Sequence, residues 1–220
     1  MAELRREHLT PENVERFESY LRTQGIELRS PEERAASLRR ILARVGAGED
    51  VWLFGYGSLM WNPACEVAES RPARIHGFHR RFCLWNTFGR GTPEKPGLML
   101  ALEPGGSCGG IALRIAAEKL ESELAAVWAR EMTTSSYAAR WVRVRSAGAT
   151  AFDAVTFVVN PASARYAGRL SHEETVRLLA QGAGPFGTSR GYLEGVVREL
   201  EQRGLRDRAM RALLRDIERL

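Results

Sequence analysis

Apolar residues at helical spacing open the chain and predict two helices within residues 1–50. Thr10 is a suitable N-cap for the first helix, and Pro11 fits its first helical position. Ser30 begins a capping box for the second helix, whose apolar stripe ends before the glycines of residues 46–48. This segment carries no obvious chemistry, so we expect a helical extension that serves packing or oligomerisation.

From Val51 the pattern changes to short apolar runs separated by Gly and Pro, which is typical of strands. One convincing helix, residues 117–130, interrupts them, and three more helices follow in the last third of the chain. Short connections between successive strands favour a closed or strongly curved sheet of α+β type over a doubly wound parallel sheet. The predicted strands are residues 51–56, 74–84, 98–103, 109–115, 141–145 and 151–159.

The composition is that of an ordinary globular protein, with 220 residues that are 44% hydrophobic and 27% charged. A chain of this length buries a sizeable core without disulfides or a structural metal. Its cysteines, Cys65, Cys83 and Cys108, are scattered, which is typical of free thiols in a reducing compartment. No signal peptide is visible, and no stretch approaches the ~20 apolar residues of a membrane span. We therefore expect a cytoplasmic protein without a membrane partner.

The positive charge is carried almost entirely by arginine, since Lys95 and Lys119 are the only lysines among 32 basic residues. The net charge of +5 belongs to residues 51–190, because both ends of the chain are near neutral. Residues 70–93 hold a group of arginines and no acidic residue. This basic window indicates either a site for a small anionic substrate or arginines that pair with carboxylates elsewhere. It lacks the basic helical stripe and stacking aromatics of a nucleic-acid-binding motif.

The first candidate site is the turn after the first strand, within residues 54–63. Gly55 and Gly57 can bring backbone N–H groups close to a ligand, and Ser58 adds a hydroxyl donor, so the turn can bind an anion or oxyanion. A dinucleotide fingerprint or a nucleophile elbow would need glycine at Met60, and no P-loop lysine follows. A tight turn that uses its glycines only for shape is the alternative.

Glu131 is the second candidate. Leu124 and Val127 belong to the apolar face of the predicted helix, and Glu131 continues that face. A carboxylate is rarely buried without a partner or a use. Three interpretations stay open: a functional carboxylate, a structural salt bridge to Arg81 or Arg90, and a frayed helix end that reaches water. The histidines show no metal-binding spacing, so no metal site is predicted.

Six motifs follow one another in a specific order. They are FGYGSLMWNP (54–63), RRF (80–82), TFGRGTPEKPG (87–97), WAREM (128–132), RYAG (165–168) and GPFGTSRGYL (184–193). In these motifs the sequence resembles the ChaC-like γ-glutamylcyclotransferases, the glutathione-specific branch of the γ-glutamylcyclotransferase superfamily. The match spans residues 51 to about 217. Cys83, where relatives often have an aromatic residue, and Ser189, where many have asparagine, depart from the pattern.

The resemblance implies a small mixed β-barrel with flanking helices, here residues 51–220, preceded by the helical extension of residues 1–50. It also implies that the YGSL turn binds a γ-glutamyl group and that Glu131 is the proton acceptor. We therefore predict Glu131 as the catalytic residue. The predicted substrate-binding residues are Leu53, Phe54, Gly55, Tyr56, Gly57, Ser58, Leu59, Arg81, Arg90 and Tyr166.

The function implied by the resemblance is cleavage of glutathione to 5-oxoproline and cysteinylglycine. The α-amine of the γ-glutamyl group attacks its own γ-carbonyl, a reaction that needs a base but no metal, cofactor or nucleophilic residue. Two alternatives stay open: the same cyclisation on other γ-glutamyl amino acids or amines, and a non-catalytic module that binds a small anion or nucleic acid. We expect a small-molecule substrate and no nucleic-acid partner. The sequence gives no basis for predicting the oligomeric state.

Overall fold

The computed structural model describes residues 5–220, whose strands form a closed barrel with helices before and after it. The barrel strands are β1 (Val51–Gly55), β2 (Glu69–Asn86), β3 (Gly97–Ile115), β4 (Tyr137–Arg145) and β5 (Phe152–Val159). The helices are α1 (Pro11–Thr23), α2 (Pro31–Leu42), α3 (Leu120–Glu131), α4 (His172–Gln181), α5 (Ser189–Gln202) and α6 (Arg208–Ile217). A short hairpin of β6 (Ala183–Gly184) and β7 (Gly187–Thr188) precedes α5.

The barrel runs in the order β1-β3-β2-β4-β5 and closes through a parallel pairing of β1 with β5. Its longest pairing joins β2 and β3 as antiparallel partners over almost their whole length. Large side chains that are almost fully buried, such as Phe54, Phe82 and Phe157, fill the core of the molecule. The prediction of an α+β fold built on a small β-barrel is confirmed.

One prediction about the strands is wrong. Residues 98–103 and 109–115 were expected as separate strands, but both belong to the continuous strand β3. Gly105 and Gly106 have φ values of +100° and +69°, and the pairing with β2 shifts register opposite them, between His76 and Phe78. The glycine-rich segment is therefore an irregularity within a long hairpin, because its positive φ values bend the strand without ending it.

The predicted N-terminal helices are confirmed, and their caps are as expected. The Thr10 hydroxyl accepts a hydrogen bond from the backbone of Asn13, and Ser30 forms a complete capping box with Glu33. The second helix ends at Leu42, a few residues before the predicted glycine stop, because the chain continues in a tight turn. Residues 1–4 of the predicted extension lie outside the described residues.

The segment between α1 and α2 joins the extension to the barrel. Leu28 forms a β-bridge with Thr134, and the backbone N–H of Arg29 donates to the carbonyl of Thr133 at 2.9 Å. The Arg29 guanidinium also donates to the Tyr137 carbonyl at 2.6 Å. Residues 26–30 are thereby attached to the turn that directly follows α3, at the end of the helix that carries Glu131.

The three predicted C-terminal helices are confirmed as α4, α5 and α6. Their apolar faces, which include Leu179, Leu193 and Leu213, are buried. No helix in the described part of the chain combines the length and the apolar character that a membrane span requires.

Candidate active site

Two adjoining cavities open beside the β1 turn and the end of α3. The outer chamber has a volume of about 840 Å³ including its open mouth. The inner pocket has a volume of about 320 Å³ and lies against the turn of residues 56–59. Both cavities are lined by Ser58, Met99, Glu131, Tyr137 and Tyr192. These five residues therefore mark the junction between the two spaces.

The glycine turn is closely packed against α5. A Cβ atom on Gly57 would lie 2.5 Å from the Tyr192 hydroxyl, so only glycine fits unless that side chain moves. Ser58 to Met60 then form a single 3-10 turn, in which the N–H groups of Met60 and Trp61 bond back to Gly57 and Ser58. The backbone N–H groups of Ser58 and Leu59 have no acceptor among the described residues. Two donors beside the cavity junction are thus available to a ligand.

Glu131 is the last residue of α3, and its side chain is 15% exposed. The helix face predicted to be apolar is buried at Leu124 and Val127. The carboxylate is held by the neighbouring Arg130, whose Nε and Nη2 both lie 2.8 Å from Glu131 Oε1. Arg81, one of the two arginines expected as an alternative salt-bridge partner of Glu131, pairs instead with Glu103 at 3.1 Å.

Arg130 also connects Glu131 to the glycine turn. Its Nη1 donates to the Asn62 carbonyl at 2.7 Å, in the segment that directly follows the turn. A guanidinium that binds two groups at fixed angles holds them in one relative position. Arg130 therefore fixes the carboxylate with respect to the turn whose N–H groups are available.

Two buried tyrosines form the floor of the inner pocket. Tyr56 donates its hydroxyl to the Phe157 carbonyl at 2.7 Å, and Tyr137 donates to the Leu100 carbonyl at 2.8 Å. Burial raises the pKa of both phenols well above the ordinary value. Both hydroxyls are therefore neutral, and both are fixed by hydrogen bonds to the barrel.

The outer chamber contains cationic side chains stacked on aromatic rings. The Arg90 guanidinium lies 5.0 Å from the centre of the Tyr192 ring, and that of Arg165 lies 4.7 Å from the centre of the Phe88 ring. Arg165 donates twice to the Trp85 carbonyl, and burial lowers its pKa to about 10, so it is still protonated at neutral pH. The chamber therefore favours anionic ligands.

A loop, residues 87–96, carries Arg90 to the chamber and is held by hydrogen bonds at its beginning and at Arg90. Asn86 Oδ1 accepts hydrogen bonds from the backbone of Gly89 and Arg90 at 2.9 and 3.0 Å. Ser189 donates to the Arg90 carbonyl at 2.9 Å and accepts from the Leu98 N–H at 3.2 Å. The serine that departs from the family pattern thus acts as a bridge between the loop and β3.

The structure brings together only part of the predicted site. Glu131 and Tyr56 to Leu59 line the inner pocket, Arg90 lines the outer chamber, and Gly55 packs beneath the turn against Leu59. Leu53 and Phe54 are fully buried core residues whose side chains line neither cavity. Their side chains support the turn from the core, and substrate contact by these two residues stays a prediction that neither cavity supports.

Arg81 and Tyr166 also lie outside both cavities, so their role as substrate-binding residues stays a prediction without support from the cavity linings. Both contact the buried carboxylate of Glu103, at 3.1 Å for Arg81 and 2.5 Å for the Tyr166 hydroxyl. That hydrogen bond raises the pKa of Tyr166 to about 12. In the RYAG motif the neighbouring Arg165 lines the chamber instead, because it belongs to the turn that precedes the β-bridge of Tyr166 with Leu84.

The arginines of the basic window, residues 70–93, fit both predicted roles: one lies at a candidate anion site, and the others pair with side chains elsewhere. Only Arg90 among its arginines lines the outer chamber. The others have partners elsewhere: Arg71 with Glu69, Arg74 with Ser107, Arg80 with Asp207 and Arg81 with Glu103. Pairing with other residues therefore accounts for most of the window.

Several lining residues were not predicted from the sequence. Arg130, Arg165 and Tyr192 each lie inside a quoted motif, so the motifs themselves held the available signal. Phe17 and Leu21 line the chamber from α1, which no motif marks. Among residues 5–220, no three His, Cys, Asp or Glu side chains are grouped so that they could hold a metal ion.

Comparisons with known proteins find similar chains. The family model described as ChaC-like protein matches residues 51–220. The chain is 41% identical over 191 residues to a protein of Escherichia coli named glutathione-specific gamma-glutamylcyclotransferase, covering 87% of this chain and 83% of that protein. It is 31% identical over 153 residues to glutathione-specific gamma-glutamylcyclotransferase 1 of Danio rerio, covering 68% and 78% of the two chains.

Solved structures match the fold. A crystal structure of a γ-glutamyl cyclotransferase specific to glutathione from yeast aligns with a TM-score of 0.70 at 22% identity. The alignment covers 77% of this chain and 96% of the yeast chain. At that identity the match establishes the shared fold.

Proposed function

Because the chain belongs to the ChaC-like protein family, we propose that it is a glutathione-specific γ-glutamylcyclotransferase. Such an enzyme is a carbon–nitrogen lyase that converts glutathione to 5-oxoproline and cysteinylglycine. The names of the bacterial and fish relatives support this activity. We infer the roles of individual residues from the geometry of the two cavities.

The observation that carries the proposal is the position of Glu131 and Ser58 at the junction of the two cavities. A carboxylate and free backbone donors line the same space, and Arg130 fixes one with respect to the other. A base and an oxyanion site are the two groups that this cyclisation requires. The γ-glutamyl half of the substrate occupies the inner pocket and the junction.

The first step is the activation of the substrate amine. The α-ammonium group transfers a proton to the Glu131 carboxylate, since only the neutral amine can attack. The amine nitrogen then bonds to the γ-carbonyl carbon of the same molecule, and the γ-oxygen becomes negatively charged. The N–H groups of Ser58 and Leu59 stabilise that charge. Because the pocket holds the chain bent, attack within one molecule gains from a high effective molarity.

The second step expels the leaving amine. The bond between the γ-carbon and the cysteinyl nitrogen breaks as the carbonyl re-forms. Two protons pass in all from the α-nitrogen to the leaving nitrogen, with Glu131 as their carrier. One carbon–nitrogen bond forms and one breaks, and no water is consumed. Glu131 therefore ends the cycle as a carboxylate, ready for the next substrate.

The cations of the outer chamber match the charge of the substrate. Glutathione carries two carboxylates, and Arg90 is the chamber arginine of the basic window. Arg165 adds a buried positive charge whose own hydrogen bonds go to Trp85 and Ser136. We infer that Arg90, which lines the chamber and stacks on Tyr192, binds a substrate carboxylate, and that Arg165 contributes its positive charge from a fixed position.

The test compares leaving groups on one γ-glutamyl half. Purified protein is incubated separately with glutathione, γ-glutamylalanine and γ-glutamyl-ε-lysine, and the 5-oxoproline released is measured. We expect kcat/KM for glutathione to exceed kcat/KM for each of the other two substrates by about tenfold or more. Only glutathione presents a complete cysteinylglycine leaving group to the chamber.

Two results would overturn parts of the proposal. Release of 5-oxoproline from none of the substrates would rule out the cyclotransferase. Equal or faster release from γ-glutamylalanine would keep the cyclisation and reject the specificity for glutathione. A cytoplasmic location is part of the same proposal, since the three cysteines are free and buried and the substrate belongs to reducing compartments.

A further inference from the structure

Helix α1 forms one wall of the outer chamber. Phe17 and Leu21 line that chamber, and neither lines the inner pocket. Their spacing of four residues places both side chains on the same face of the helix. The part of the chain that sequence patterns mark as a packing appendage therefore reaches the space beside the candidate catalytic groups.

The helix is held in this position by contacts at several points. Tyr20 donates its hydroxyl to the Phe88 carbonyl at 2.7 Å, which ties α1 to the loop that carries Arg90. The Phe17 ring lies 6.0 Å from the Phe186 ring, on the hairpin that precedes α5. Glu18 forms an ion pair with Arg34 of α2. These contacts connect α1 with two separate segments that also line the chamber.

The apolar wall lies on the side of the leaving group. Phe17, Leu21, Phe88 and Phe186 line the outer chamber only, whereas Glu131 and Ser58 line both cavities. If the γ-glutamyl half reacts at the junction, the other half of the substrate extends into the chamber. It then lies between apolar side chains and the Arg90 cation, which suits a small apolar side chain attached to a carboxylate.

We propose that Phe17 and Leu21 of α1 form part of the subsite that selects the leaving group. This inference rests on the proposed cyclotransferase function and adds a specificity role for the N-terminal extension. Phe17 limits the size of the group that the cysteinyl position can carry, because its ring packs against that of Phe186, with 6.0 Å between the ring centres, and the two rings together form an apolar wall of the chamber. Neither residue takes part in proton transfer.

The experiment uses the full chain with Phe17→Ala and two substrates, glutathione and S-hexylglutathione. We expect loss of the ring to raise KM for glutathione, so that kcat/KM falls about tenfold while kcat stays within about twofold of the wild type. The added space raises the ratio of kcat/KM for S-hexylglutathione to that for glutathione by about tenfold. A shift in this ratio is a readout that general destabilisation would not move.

Phe152→Ala is the matched control, because Phe152 is also a half-buried aromatic residue and lines neither cavity. It should leave the substrate ratio unchanged. Thermal unfolding is measured for Phe17→Ala and Phe152→Ala. A second variant, Phe17→Leu, is measured as well, so that the test still holds if Phe17→Ala is less stable than Phe152→Ala. The leucine variant should shift the ratio in the same direction by a smaller factor.

The outcomes separate the inference from the function on which it rests. An active wild type whose substrate ratio is the same in Phe17→Ala and Phe17→Leu would reject the role of α1 and keep the cyclotransferase. A wild type that releases 5-oxoproline from neither substrate would reject both. A changed ratio in Phe152→Ala as well would show that the effect is not specific to the chamber and would also reject the role of α1.

Discussion

Arg130 and Glu131 are neighbours in the sequence and partners in the structure. Both nitrogens on one edge of the guanidinium lie 2.8 Å from Glu131 Oε1, and the third nitrogen donates to the Asn62 carbonyl. Adjacent residues near a helix end usually point in different directions, so this pairing depends on the long arginine side chain folding back. Its consequence is a carboxylate with a defined orientation at the cavity junction.

Arg130→Lys tests this positioning role. Lysine keeps the positive charge but cannot bind Glu131 and Asn62 at the same fixed angles. A hydrogen bond to a charged group contributes about 1.5–3 kcal/mol, so we expect kcat for 5-oxoproline release to fall about tenfold or more. KM for glutathione should change by less than about twofold, because the contact of Arg130 with Glu131 and Asn62 orients the base and is not a contact with the substrate. Steady-state kinetics measure both quantities.

Arg143→Lys provides the control for Arg130→Lys. Arg143 pairs with Asp153 at 3.2 Å on the surface, where an ion pair contributes little. Its kinetics should equal those of the wild type. If Arg130→Lys also kept the wild-type kcat, the positioning role of Arg130 would be wrong.

At the residue scale, the sequence predicts the glycine turn, Glu131 and Arg90, but it does not predict Arg130 or Arg165. Glycine spacing and an acidic residue on an apolar helix face are local patterns, which are readable along the chain. Whether Arg165 or Tyr166 lines the cavity depends on how the turn that contains Arg165 packs against β2, where Tyr166 forms a β-bridge with Leu84. That choice is decided by tertiary packing, and no local pattern records it.

The loop of residues 87–96 shows how elements cooperate to place one side chain. Asn86 caps its beginning, and Ser189 at the start of α5 bridges its middle to β3. The backbone of Phe186 in the β6–β7 turn donates to the Gly89 carbonyl at 2.8 Å. The end of β2, the β6–β7 turn and the start of α5 therefore together fix the loop that carries Arg90.

Ser189→Ala tests this bridge. The substitution leaves the Arg90 carbonyl and the Leu98 N–H without their shared partner, and Ser189 is fully buried. We expect the free energy of unfolding to fall by about 1–3 kcal/mol. KM for glutathione should rise severalfold as Arg90 becomes less well placed. Chemical denaturation and steady-state kinetics measure the two effects.

Ser146→Ala is the matched control, since the Ser146 hydroxyl donates to the Pro72 carbonyl at 2.8 Å in an exposed position. Water can replace that hydrogen bond, so both quantities should stay near the wild-type values. An unchanged KM in Ser189→Ala would show that the bridge does not position Arg90.

At the element scale, the helices are predictable and the strands only partly so. Caps such as those at Thr10 and Ser30 are local and identify helix starts directly. The glycine-rich segment of β3 is typical of a turn, but its partner strand β2 continues past it. Whether such a segment ends a strand depends on this long-range pairing, which the sequence pattern does not contain.

At the scale of the whole molecule, the first N-terminal helix forms a wall of the outer chamber beside the barrel. Residues 26–30 bond to the turn after Glu131, and α1 covers the outer chamber. The fold class was predictable because strand and helix patterns and six ordered motifs agree. The position of α1 beside the chamber was not predictable, because α1 has an ordinary amphipathic pattern that can pack on any apolar surface.

The central claim is that Glu131 carries the proton in an intramolecular cyclisation. The most direct measurement is the balance of one reaction in the wild type and in Glu131→Gln: glutathione consumed against 5-oxoproline and cysteinylglycine formed. We expect equal amounts of all three in the wild type, and a kcat lower by about 10³-fold in Glu131→Gln, with glutathione binding and the unfolding temperature largely retained. Glu121→Gln, on the exposed side of the same helix, should match the wild type. A Glu131→Gln variant that kept its kcat within about tenfold would contradict the assignment of the base.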